Sequence, residues 1–182
     1  MKKRLFSMMM LSLAVMLMGI SFVACGDDKD EPNPNPPAPS HPEKIAIAYN
    51  LELGDGWWDF FDIEATYTAA DGKIVTEKIV NTSLKGWAKV EIVKYEDIVS
   101  EYIFNVKATP KADMPQIDTN ATYNFDKKAE SFAYALDAAE KPESIIATTS
   151  SNSSLTIAGS NVEKYLSSSH ENLGAGTITV KK

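Results

Sequence analysis

Few side chains in this sequence have the chemistry to run a reaction. The only imidazoles are His41 and His170. Nucleophilic catalysis of the Ser-His-Asp kind would have to recruit His170 and one residue of the serine tracts, with no Gly-x-Ser-x-Gly elbow to pose the hydroxyl. Paired carboxylates hydrolyse glycosides, and the chain carries 25 acids. Surface acids are ordinary in an acidic chain, however, and one small sandwich rarely makes a deep cleft. In GDGWWDFFD, residues 54–62, Asp55, Asp59 and Asp62 offer hard oxygen ligands of the calcium type, but their spacing departs from the EF-hand loop. The stretch is therefore read as an acidic turn between strands, with no metal. Phosphate-cradling and dinucleotide motifs are absent, so no cofactor is expected.

The same stretch carries the one functional hint. Successive side chains of a strand point to opposite faces, so in an extended segment Trp57 and Trp58 cannot share one core. Counting back from Ile63 and Phe61 puts Trp57 inward and leaves Trp58 and Phe60 on the polar face with Asp62 and Glu64. In GWAKVEIV, residues 86–93, Val90 and Ile92 share a face with Ala88, which leaves Trp87 beside Lys89 and Glu91. If the two strands are neighbours, Trp58, Phe60 and Trp87 form an exposed aromatic patch edged by Asp59, Asp62 and Glu64. Exposed patches of this kind mark binding sites, and flat rings with carboxylates beside them suit a glycan. The competing reading is that these rings seal one end of a sandwich. A one-residue slip in register would reverse every assignment.

The elements that would position these residues have a period of two. Ile45, Ile47, Tyr49, Leu51 and Leu53 alternate with smaller or polar residues, as do Phe61, Ile63, Ala65 and Tyr67. Asp71-Gly72 turns the chain into a hairpin that returns through Ile74 to Val80. Further strands are expected at 87–93, 100–108 with Tyr102, Phe104 and Val106 inward, 122–126, 131–137, 144–149, 154–158 and 176–180. Ser160 and Glu163 have capping-box spacing, and Val162, Tyr165 and Leu166 share one side of a short helix. His170 falls at its end, where an imidazolium complements the helix dipole. The expected fold is all-β, an antiparallel immunoglobulin-like sandwich with one short helix. A lipocalin-like β-barrel is the alternative.

Lys2, Lys3 and Arg4 precede a chargeless run from Leu5 to Ala24, the pattern of an export signal. Val23-Ala24-Cys25 resembles the cleavage box of bacterial lipoprotein signal peptides, with Phe22 where leucine is usual. The resemblance implies that Cys25 becomes the first mature residue and is acylated, and several acyl chains anchor a protein stably. Residues 26–31, GDDKDE, resemble the acidic run that sends Bacteroidota-type lipoproteins to the outer face of the outer membrane. They also suit a solvated spacer, which leaves the periplasmic face open. Residues 32–42, PNPNPPAPSHP, hold six of the nine prolines and form a semi-rigid stalk, roughly 34 Å long at about 3.1 Å per residue.

The organisation is thus a signal peptide at 1–24, an anchor and stalk at 25–42, and one domain at 43–182, which resembles small envelope domains without matching a named family. Removing the signal shifts the net charge from −7 to −10, which argues against nucleic acid and against electrostatic adhesion to anionic lipid. With Cys25 as the only cysteine, no disulfide, thiolate zinc site or cysteine nucleophile is available. Two functions follow, neither enzymatic. One is a cell-surface lipoprotein that binds glycans; the other is a structural or interaction module that docks another envelope protein.

Overall fold

Alternation of branched and aromatic side chains with small or polar ones gives β1 (Lys44–Leu53) one buried face: Ile45, Ile47, Tyr49, Leu51 and Leu53 are all nearly inaccessible. The computed structural model describes residues 41–81, 86–168 and 170–182. The expected signal peptide, the expected anchor Cys25 and the expected stalk up to residue 40 lie outside the described residues.

After β1 the chain forms α1 (Asp55–Phe60), β2 (Phe61–Thr68), β3 (Ile74–Ile79), β4 (Gly86–Lys94), a 3₁₀ turn (Tyr95–Asp97) and β5 (Glu101–Pro110). It continues through β6 (Thr122–Asn124), β7 (Lys127–Leu136), β8 (Pro142–Ser153), β9 (Thr156–Ala158), α2 (Gly159–Leu166) and β10 (Gly176–Thr179). Sheet A has the order β4-β1-β7-β8 and sheet B the order β10-β5-β2-β3, while β6 and β9 form a ribbon of their own. All strand pairs are antiparallel. Each sheet keeps two edges, so the fold is an all-β sandwich and no closed barrel forms.

The core fills the space between the sheets. From sheet B come Phe61, Ile63, Ala65 and Tyr67 of β2 and Tyr102, Phe104, Val106 and Ala108 of β5, all buried. From sheet A, β1 contributes the bulk and its neighbour β7 contributes small residues: Tyr49 pairs with Ser131, Ile47 with Ala133 and Leu51 with Ala129. Large beside small keeps the inter-sheet gap near the ~10 Å that packed sheets adopt. Tyr49 spans it, its hydroxyl donating to the Thr68 carbonyl at 2.7 Å and its ring lying against Tyr67 and Phe104. Burial pushes that phenol's pKa well above the usual tyrosine range. Residues 41–182 form one compact unit, and its buried side chains run from Ile45 to Val180, so this unit carries a core of its own.

Two expected features differ. Among the described residues there are two α-helices rather than one, because residues 55–60 coil instead of extending. The capping box of α2 does not form: its N-cap is Ala158, without a side-chain bond, and Ser160 falls inside the helix. The expected inward side is present, with Val162 and Leu166 buried and Tyr165 packed against the core. The Asp71-Gly72 hairpin forms as read, Gly72 taking φ 78°, a conformation glycine adopts without strain.

Candidate functional site

The aromatic stretch folds into the interior. In α1, adjacent residues diverge by about 100° rather than 180°, so Trp57, Trp58 and Phe60 are all buried, at 2%, 5% and 0% exposure. The indole of Trp57 donates to the Phe125 carbonyl at 2.8 Å and that of Trp58 to the Leu53 carbonyl at 3.2 Å. The helix end is closed by Lys111, whose ammonium donates to the Trp58 carbonyl at 2.6 Å. Gly54 fixes the approach: a Cβ there would meet the Asn124 side chain at 2.2 Å. The expectation that Trp58 and Phe60 stand on a polar face is therefore corrected. Asp59 and Asp62 are exposed and Glu64 half-buried, but without rings beside them they frame no platform.

Trp87 is corrected in the same sense, by the orientation of its strand. β4 is turned so that Trp87, Lys89, Glu91 and Val93 face sheet B, while Ala88, Val90 and Ile92 point to solvent. The half-buried Trp87 ring stacks on Phe104 at 5.7 Å and leans on Tyr67 at 5.6 Å, and its Nε1 donates to Glu77 at 2.9 Å. Tyr67 also donates to Glu77, and Glu91 accepts from the Ala70 amide. These polar groups close the β3/β4 side of the sandwich and are satisfied among themselves.

His170 lies just beyond α2. Its Nε2 is 3.1 Å from the Tyr165 carbonyl and 3.1 Å from Ser168 Oγ, and its ring meets Trp57 and Phe61 edge-on at 5.1 Å. The helix itself stops at Leu166, so His170 lies past its end, bridged to Ala108, rather than within its last turn. Lys127 donates to Ser151 Oγ at 3.0 Å and to the Leu173 carbonyl at 3.3 Å, with burial holding its pKa below the ordinary lysine value. It fastens β7, β8 and the approach to β10 together, beside an open groove of about 420 Å³ lined by Phe104, Asn105, Ser151 and Gly174. Among the described residues no group of three His, Cys, Asp or Glu side chains could hold a metal, and no helix is long and apolar enough to cross a membrane.

What the structure does expose is the outer face of sheet A. Its register aligns side chains across the four strands in rows: Ile92, Ala46, Tyr134 and Ile145 in one, and Val90, Ala48, Phe132 and Thr148 in the next. Val90 is 58% exposed, Ile92 47% and Ile145 59%. Phe132 and Tyr134 are half-buried and stack on one another at 5.6 Å. The third row, Ala88, Asn50, Glu130 and Ser150, turns polar, and Lys44 and Lys94 pair at the opposite end. The patch is thus apolar at its centre and charged at its rim. Sequence reasoning missed it because it placed Val90 and Ile92 in the core. The available signal was that both alternating sets of β4 and β7 contain apolar residues, more than one buried face requires.

Compared with family models, curated proteins and solved structures, this chain matches none.

Proposed function

We propose that this chain is a lipid-anchored outer-membrane protein, held through Cys25 and facing the cell exterior, whose domain docks another envelope protein without catalysing a reaction. The observation that carries the docking is the uncovered apolar face of sheet A. Contiguous apolar surface rimmed by polar groups is the anatomy of a protein interface. Residues 41–182 hold 21 acids and 14 lysines, a net charge of −7 that repels an anionic lipid surface. The glycan reading based on Trp58, Phe60 and Trp87 lacks its platform, since those rings are committed to packing. On the outer face of sheet A a sugar would meet the stacked Phe132–Tyr134 pair, beside Glu130.

Photo-crosslinking amino acids placed at Val90, at Phe132 and, for comparison, at Thr66 on the outer face of sheet B test the docking in whole cells. A discrete adduct with one envelope protein from the first two sites and none from Thr66 is expected. The absence of protein adducts at Val90 and Phe132, or glycan binding that vanishes on Phe132→Ala, would overturn protein docking.

A further inference from the structure

β7 turns one charge toward the interior. Its inward set is Lys127, Ala129, Ser131 and Ala133; the last three are fully buried, and Lys127 is half-buried beside the buried Leu53 of β1. The Lys127 ammonium donates to Ser151 Oγ and to the Leu173 carbonyl, both neutral acceptors. Among the described residues no carboxylate forms an ion pair with it. Its neighbour Asp126 turns its oxygens instead to Ser154, Asn124 and the Leu155 amide. Burial is the sole cause that lowers the Lys127 pKa, and no anion counters it. Buried cations are ordinarily paired. Fastening Ser151 to Leu173 does not supply that pair.

The ammonium stands on the wall of the groove between β5, β8 and the approach to β10. Ser151 lines the groove, and Leu173 lies between two further lining residues, Asn172 and Gly174. Its volume of about 420 Å³ falls within the range of small-ligand sites. Three sets of donors there have no acceptor among the described residues: the third N–H of Lys127, the hydroxyl proton of Ser151 and the exposed amide of Asn172. Asn105, by contrast, is committed to the Glu171 carbonyl and the Val106 amide. Gly174 lets the wall press against Phe104, whose carbonyl a Cβ would meet at 2.4 Å. At Gly176 a Cβ would meet nothing within 4 Å, so that end stays open.

We propose that this groove binds a small organic carboxylate, with Lys127 as its counter-ion and Ser151 and Asn172 as hydrogen-bond donors. One ammonium matches one negative charge. In a domain of net charge −7, a doubly charged phosphate or sulfate would remain half uncompensated. A carboxylate makes the contact with Lys127 an ion-to-ion hydrogen bond, the strong kind. The groove lies on the inner side of sheet A, so it is independent of the outer face assigned to docking.

Two-dimensional NMR of residues 41–182, which carry their own core, follows the amides of Ser151, Asn172 and Gly174 at constant ionic strength. The probes are acetate, glucuronate, N-acetylglycine and, as the neutral control, glucose. The carboxylates should shift these amides saturably and glucose should not. Lys127→Met keeps the apolar stem and should weaken binding at least tenfold, with circular dichroism checking the fold. Asn172→Ala alters an exposed side chain, and should weaken binding at least threefold whether or not Lys127→Met folds. Glucuronate tighter than N-acetylglycine supports the site with an acidic sugar as the source of the carboxylate; the reverse order supports it with a peptide C-terminus. No saturable shift up to about 100 mM of any carboxylate overturns the proposal. So does binding that is unchanged in Asn172→Ala and in a folded Lys127→Met, or an equal response to glucose.

Discussion

The outer faces of the two sheets have the same strand count and opposite chemistry. On sheet B, Glu64 lies between Lys107 and Lys78, and Thr66 lies between Asn105 and Thr76, whose hydroxyl is 2.9 Å from its own. On sheet A the corresponding rows are Ile92-Ala46-Tyr134-Ile145 and Val90-Ala48-Phe132-Thr148. An antiparallel sheet needs only one apolar face to build a sandwich, and its other face is ordinarily polar. Sheet B follows that rule along these rows, with exposed Ile74 and Ile103 confined to the end beside Thr68. The exposed surplus on sheet A, Val90, Ile92 and Ile145, lies outside the core, which is why it carries the docking proposal.

The comparison ranks substitutions by the side of the sheet they occupy. The largest effect belongs to the inner side: Tyr49→Ala removes the ring that touches both sheets and should cost about 3–5 kcal/mol, measurable by urea unfolding. A midpoint shift worth less than about 1 kcal/mol would mean that the sheets are not held by this contact. Ser131 sits opposite Tyr49 on the inner side of β7, with its buried hydroxyl lacking a hydrogen-bond partner among the described residues. Ser131→Ala should therefore stabilise the domain by about 1 kcal/mol, the opposite sign to most core substitutions. Destabilisation there would show that the hydroxyl is satisfied in solution. On the outer side, Val90→Thr with Ile92→Thr should change stability by no more than about 0.5 kcal/mol while clearly shortening retention on a hydrophobic-interaction column. The matched pair Thr66→Ser with Thr76→Ser on sheet B should leave retention unchanged. Equal behaviour of the two pairs would erase the contrast between the faces.

The same contrast explains how far the sequence could be read. β1, β2 and β5 were legible because one alternating set is bulky and apolar and the other small or polar, so period and direction agree. In β4 the alternation is present but both sets contain apolar residues, and the bulkier candidates Val90 and Ile92 are the exposed ones. In β7 the inner positions must be small to fit beside Ile47 and Tyr49, which sends Phe132 and Tyr134 outward. Periodicity locates such strands but cannot orient them, because orientation depends on the volume left by a neighbour distant in sequence. Residues 55–60 failed for a different reason. Six residues are too few to display a helical period, and the Asp55-Gly56 pair resembles a turn. What makes them coil is tertiary: Gly54 against Asn124, the Trp57 indole on Phe125 and Lys111 at the helix end.

β1 is an interior strand, paired along its length by β4 on one side and β7 on the other. Inter-strand hydrogen bonds lie perpendicular to the strand axis. A pull applied at its N-terminal end and directed along the strand therefore shears both ladders at once, instead of opening them one bond at a time. Sheet A is accordingly arranged to resist a pull along β1, the load that the proposed anchor and the proposed docking face would together place on it.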